Sequence, residues 1–173
     1  MNTGEIDLGD RVRIRKATKR DLFAVERNLR DGDREEVEAT RAWIDRDAEH
    51  ADILSCGALA VFLGDDIIGY CGACIPANEG VLGRRRGLYF LSTANVWGCK
   101  KLFVKKSRAV LDVLLAGLPS WVDQVYAMPL ATYTGAVRWL EKILGFKSVA
   151  QICFAGKEWT LMELKKKKGV DNG

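Results

Sequence analysis

The 173-residue chain has the length of one ordinary domain, and its 48% hydrophobic and 29% charged residues are close to globular norms. No apolar run approaches the ~18 residues of a membrane helix, and the amino terminus lacks the basic flank and apolar stretch of a secretory signal, so neither a helical span nor secretion is expected. The net charge of +4 is mild and sits largely in Arg84-Arg85-Arg86 and Lys165 to Lys168, without the interleaved aromatics of a nucleic-acid stacking groove.

Residues 1–10 are polar and read as a loose leader to a single domain over residues 11–165. Val12 to Ala17 alternate apolar and charged residues, the period of a half-buried strand. Thr18 then caps a helix, with Asp21 at its positive end and Leu22, Val25 and Leu29 as its apolar stripe. Arg30-Asp31-Gly32-Asp33 breaks it. Asp33 is expected to cap a second helix running to about Glu49, with Val37, Thr40, Trp43 and Ile44 facing inward. His50, the only histidine, falls near the end of that helix and reads as a surface residue.

Residues 58–63 and 67–75 form a hairpin about the turn Gly64-Asp65-Asp66. Within it, Cys71-x-x-Cys74 reads as two small strand fillers rather than a redox or metal pair. Three-residue spacing on a strand points to opposite faces, and no second pair completes a zinc set. The odd total of five cysteines argues for reduced thiols. A loop over residues 76–87 leads to a buried strand over 88–96. The longest helix follows from about Cys99 to Gly117, with Phe103, Val110, Leu111, Leu114 and Leu118 on one face. A fifth strand covers residues 121–128. Thr132 or Thr134 starts a short helix to Leu144, stopped by Gly145-Phe146. A last hairpin turns at Gly156-Lys157, and residues 166–173 form a basic solvated tail.

The order is β-α-α-β-β-β-α-β-α-β-β, an α/β chain with a mixed sheet, because strand, long helix and strand imply one parallel crossover among hairpins. This order resembles the GCN5-related N-acetyltransferases (GNAT), a three-layer fold. The likeness is carried by the opening strand and helix over 12–22, the hairpin Gly64 to Gly69, and Ala136 to Phe146 with its terminal Gly-Phe. Arg30, Asp33 and Glu36 also resemble an Arg-x-x-Asp-x-x-Glu phrase of a tailed-bacteriophage subgroup that includes a small internal virion protein.

The resemblance implies acetyl-CoA wedged between the fourth and fifth strands, with its pyrophosphate at the start of the long helix. It implies an amine or protein acceptor, and a phage-encoded protein in the host cytoplasm or in the virion. Mapped residue by residue, the cofactor region is Ser92, Thr93, Ala94, Asn95, Trp97, Gly98, Cys99, Lys100 and Lys101. An anion at a helix N-terminus is favoured by free amides and the dipole, and it would offset the unfavourable lysine pair there. The family's second glycine is missing, and Trp97 stands where space is needed. The family's thiol-protonating Tyr is also missing from Leu140-Glu141-Lys142, leaving Tyr133 or Tyr126 as substitutes. Glu79 is the nearest carboxylate that could serve as base. No metal is implied. Three functions follow: an acetyltransferase, a catalytically degraded relative acting as a virion or host-interaction module, or a basic nucleic-acid-binding module.

Overall fold

A computed structural model describes residues 4–74 and 85–166. Its elements are β1 (Ile6–Asp7), β2 (Val12–Lys16), α1 (Lys19–Glu26), α2 (Asp31–Thr40), α3 (Arg46–Ser55), β3 (Leu59–Leu63), β4 (Asp66–Cys74) and β5 (Arg85–Ser92). A 3₁₀ turn (Ala94–Cys99) leads into α4 (Lys100–Gly117). Then come β6 (Gln124–Ala127), α5 (Thr134–Trp139) with a π-helical turn (Leu140–Leu144), β7 (Lys147–Phe154) and β8 (Lys157–Lys165).

The strands form one sheet in the order β1-β2-β3-β4-β5-β6-β8-β7. Among the described residues only β5 and β6 pair in parallel, across the α4 crossover. One face of the sheet packs on Val110, Leu111 and Leu114 of α4 and on Leu140, Leu144 and Phe146. The other packs on Leu22 and Val25 of α1 and Ile53 of α3. Each such fully buried side chain contributes about 1.5–3 kcal/mol. The result is a mixed α/β, three-layer fold. No described helix is long and apolar enough to cross a membrane.

Several local expectations hold for the stated reasons. Thr18 and Asp21 form a reciprocal capping box at α1. Gly145 ends the π turn with φ +79°, a left-handed conformation suited to glycine. Ala155 and Gly156 turn the last hairpin with φ of 53° and 69°.

Others are corrected. Ile6 and Asp7 are not loose but pair with Ile14 and Arg13. The single helix expected to Glu49 is two helices, because Asp45 accepts from the amides of Asp47 and Ala48 and caps a new one. Arg30, not Asp33, is the N-cap of α2. Trp43 falls in the turn between the helices and is 69% exposed. His50 is buried in the middle of α3, with Nε2 2.7 Å from Glu26 Oε1. That carboxylate oxygen also accepts from Arg46 and Tyr70, so a half-buried carboxylate meets three partners. The fourth strand ends at Ser92, which puts Asn95 and Val96 on the 3₁₀ turn. Arg85 and Arg86 begin β5 rather than closing a loop. Cys71 and Cys74 lie on β4, and burial pushes their thiols up to about 12 and about 11, as befits fillers.

Candidate functional site

The sheet opens between β5 and β6. Their register runs from Arg85↔Gln124 to Gly87↔Tyr126 and stops. Beyond it β5 continues to Ser92, paired with β4 alone. The chain after β6 follows β8 instead: the Thr160 amide donates to the Pro129 carbonyl at 2.9 Å, and Leu130 bridges Trp159. Pro129 lacks an N–H and cannot extend a ladder toward β5. The outcome is a wedge whose β5 edge has no strand partner among the described residues from Leu88 to Leu91 and ends at Ser92, whose carbonyl and amide are taken by Arg30 and Asp33 of α2.

Helix α2 spans the open end of this wedge. Arg30, Asp33 and Glu36 follow one another at three-residue steps, which keeps them on one helical face. Asp33 is almost wholly buried. Its Oδ2 accepts from the Ser92 amide at 2.8 Å and the Ser92 hydroxyl at 2.7 Å, which ties α2 to the end of β5. Its Oδ1 pairs with Arg30 Nη2 at 2.8 Å. One turn on, Glu36 Oε1 accepts from the Leu130 amide at 2.9 Å, which ties α2 to the far wall. Burial pushes the Glu36 carboxyl up from 4.5 to about 7. The Leu130 amide and Arg30 oppose that shift, and Asp33 and Glu35 assist it.

Tyr133 packs its ring on α2. A Cβ on Gly32 would lie 2.3–2.6 Å from that ring, so only glycine leaves room. The Arg30 guanidinium sits 5.1 Å from the Tyr133 ring centroid. The Tyr133 hydroxyl is buried with no hydrogen-bond partner among the described residues, and burial, then Asp33, raise its pKa well above the ordinary value. It therefore stays protonated and able to donate.

Two cavities meet the wedge. One, of about 90 Å³, is lined by Asp33, Glu36, Leu88, Phe90, Pro129 and Trp139. The other, of about 220 Å³, is lined by Trp97, Lys100, Phe103, Tyr133, Ala136 and Trp139. Trp139 stands between them. Its indole meets Phe90 edge-on at 5.1 Å, stacks on Phe103 at 5.5 Å, and donates to Ser107 Oγ at 3.1 Å.

At the outer mouth, α4 begins directly after the 3₁₀ turn and without a side-chain cap. Lys100 and Lys101 are exposed there, and the Lys100 ammonium lies 4.3 Å over the Trp97 ring. Trp97 is 53% exposed: it forms the rim, and Trp139 fills the cleft. A Cβ on Gly98 would meet nothing within 4 Å, so packing alone does not require that glycine.

Solved structures share this architecture. YncA of Salmonella typhimurium, solved with acetyl-CoA, is 16% identical with a TM-score of 0.62, covering 90% of this chain and 94% of that one. An aminoglycoside acetyltransferase, AAC(6')-Ib with ribostamycin and coenzyme A, is 19% identical with a TM-score of 0.64, covering 92% and 96%. The Escherichia coli ribosomal-protein-S18-alanine N-acetyltransferase is 11% identical with a TM-score of 0.63, covering 94% and 98%. The chain has the N-acetyltransferase fold. No protein-family profile and no curated protein matches the sequence.

In that fold the residues named from sequence separate into groups. The side chains of Ser92 and Thr93 are buried and occupied, Ser92 by Asp33 and Thr93 by the Ile67 and Ile68 carbonyls at 3.4 Å. Ala94 and Asn95 are exposed on the 3₁₀ turn, and Cys99 ends it, its thiol 3.6 Å from the Val96 carbonyl. Trp97, Gly98, Lys100 and Lys101 gather at the α4 mouth. Tyr126 sits deeper on β6, against Gly87, with its hydroxyl pushed up to about 12 by burial. Tyr133 lies at the wedge and Glu79 lies outside the described residues. Arg86, counted in the basic patch, is buried and stacks 4.3 Å over the Trp121 ring, which takes it out of any phosphate-binding surface. Sequence reasoning passed over Glu36, Asp33 and Trp139 as site residues. The three-residue spacing of Arg30, Asp33 and Glu36 on a helix was the available signal.

Proposed function

We propose that this chain is an acyl-CoA-dependent N-acetyltransferase, and the observation that carries the reading is the α2-bridged wedge with Glu36 and Tyr133 at its end. Similar folds have been solved with acetyl-CoA or coenzyme A bound. The residues here fit such a group. The β5 edge from Leu88 to Leu91 offers backbone partners to an amide-bearing arm, and the start of α4 with Lys100 and Lys101 suits phosphates.

When bound, acetyl-CoA supplies a thioester-activated acetyl group. The chain's own residues handle protons. Glu36, with a carboxyl near neutrality, takes the proton released as the acceptor amine bonds to the acyl carbon. Tyr133, held protonated, would supply the proton that a departing thiolate needs. Arg30, bound to Asp33, keeps its positive charge 5.1 Å from the Tyr133 ring centroid.

The resemblance of the Arg30–Asp33–Glu36 phrase to that of the tailed-phage subgroup is the basis for proposing a phage-encoded enzyme working in the host cytoplasm. A second reading, a degraded relative packaged in the virion, is favoured by Trp139 filling the wedge. Titration of the folded, reduced protein with acetyl-CoA separates the two. Micromolar binding, lost in Gly98→Trp, supports the enzyme. Absence of binding supports the module.

A further inference from the structure

Beneath the start of α4 lies a third cavity, of about 50 Å³, that takes no part in the site described above. Its floor is the sheet, and its roof is Leu102, Phe103 and Val110 of α4. The hollow has a local cause. Gly69 pairs with Val61 on one side and Ser92 on the other, in the middle of the sheet, and a Cβ there would come 2.6 Å from the Leu91 carbonyl. Backbone approach therefore fixes glycine at this position, and no side chain fills the space above it. Val61 and Phe90 stay only partly buried although both pack against the core under α4.

The polar groups around this space are engaged with other partners. The Ser92 hydroxyl donates to Asp33 at 2.7 Å, and Arg30 pairs with the same carboxylate. The Ser107 hydroxyl donates to the Phe103 carbonyl at 2.7 Å and accepts from Trp139, and the Lys106 ammonium holds Asp10 at 2.9 Å. An occupant meets hydrocarbon walls, and an apolar space of this kind stays dry. The space adjoins the wedge. It shares Phe90, Leu91 and Trp139 with the 90 Å³ cavity that Glu36 lines, so the edge-on contact of Phe90 with Trp139 is the partition between the two.

We infer that this space takes the tail of the transferred acyl group, and that the preferred donor carries an acyl chain of about four carbons rather than acetyl. This deepens the acyl-transfer reading and rests on it. Volume sets the length. An engineered apolar cavity of about 150 Å³ takes benzene, roughly 25 Å³ per carbon, so about 50 Å³ takes about two carbons beyond the two of acetyl. The tail enters between the Phe90 and Trp139 rings and replaces their contact with its own. The transfer itself is unchanged by a longer tail. The amine nitrogen bonds to the acyl carbon as the carbon–sulfur bond breaks, the amine gives up one proton to a base, and the departing sulfur takes one up.

The test titrates the folded, reduced full chain calorimetrically with coenzyme A and with its acetyl, butyryl and octanoyl thioesters. Two methylenes moved from water into an apolar space tighten binding about tenfold, so butyryl-CoA should bind about tenfold more tightly than acetyl-CoA. Octanoyl-CoA should bind no more tightly than butyryl-CoA. A Val61→Leu, Val110→Leu double variant adds two carbons to the walls and fills the space. It should melt no lower than the parent, bind acetyl-CoA as the parent does, and lose the butyryl preference. Either single variant adds one carbon and should keep about a threefold preference. Equal affinity for the acetyl and butyryl thioesters overturns the inference, and so does affinity that keeps rising to octanoyl. A preference untouched by the filling variants overturns it too, as does a double variant that melts well below the parent. Acetyl-CoA binding without gain from the longer chain refutes the acyl pocket and leaves acetyl transfer standing. Failure of every thioester and of coenzyme A itself to bind refutes acyl transfer and the pocket with it.

Discussion

Replacing Glu36 with glutamine tests the site through its pH dependence. The Glu36 carboxyl is raised from 4.5 to about 7 in the folded chain, chiefly by burial. The folded state thus holds this proton more tightly than the unfolded state. The stabilising contribution is fully present below pH 4.5 and is lost as pH rises through about 7. The gap corresponds to about 3 kcal/mol in all, and about 2–3 kcal/mol of it falls between pH 5 and 8.

Glutamine preserves the acceptor for the Leu130 amide and removes the titration. Asp33, Glu35 and Arg30 remain to act on other groups, and Tyr133 stays neutral over this range. Urea unfolding of parent and variant at pH 5, 6, 7 and 8 reads the difference directly. The variant should gain about 2–3 kcal/mol relative to the parent across that interval. In the acetyl-transfer assay, parental kcat/KM should rise with pH through about 7, and Glu36→Gln should fall by about 10²–10⁴-fold. Stability curves that stay parallel from pH 5 to 8 would refute the burial argument. A fully active glutamine variant would remove Glu36 from the proton path.

Three further outcomes follow from the same geometry. Asp33→Asn leaves the Arg30 guanidinium without its buried counter-charge, and it should cost about 3–5 kcal/mol by denaturant unfolding; a loss below 1 kcal/mol would mean that α2 is held elsewhere. Gly32→Ala drives a methyl into the Tyr133 ring and should destabilise by about 1–3 kcal/mol while lowering turnover; unchanged turnover would dismiss Tyr133 as the acid. Trp139→Ala gives up two ring contacts and the Ser107 hydrogen bond, about 2–4 kcal/mol together; an indole that merely covers the surface would cost far less.

Local signals carried most of the fold. The Thr18–Asp21 box, the left-handed stop at Gly145 and the apolar face of α4 are each decided within a few residues of chain. The α2–α3 break was hidden because the apolar spacing ran through it, while the cap that makes it depends on one side chain, Asp45. The site was far less legible. Asp33 reads as a helix cap by type and position, yet its partner Ser92 lies 59 residues away. The amide that receives Glu36 is 94 residues away, and the carboxylate that receives His50 is 24 away. Burial of a polar side chain is a property of the assembled sheet, and no window of sequence contains it.

The bridge formed by α2 links these observations into one physical scheme. A parallel pair that splays leaves backbone amides along the gap in need of acceptors, and a helix across it stabilises it by carrying them. Asp33 meets the β5 wall and Glu36 meets the Leu130 wall, three residues apart on one helical face. The two carboxylates meet different environments. Asp33 is matched by Arg30 and by the Ser92 amide and hydroxyl, whereas Glu36 has one amide and heavy burial. Burial with so little compensation raises Glu36 toward neutrality. The same helix therefore fixes the width of the wedge and sets the proton affinity of its base. Changes at Asp33 should shift the pH profile of catalysis as well as stability, and measuring both on Asp33→Asn would show whether the two roles are joined.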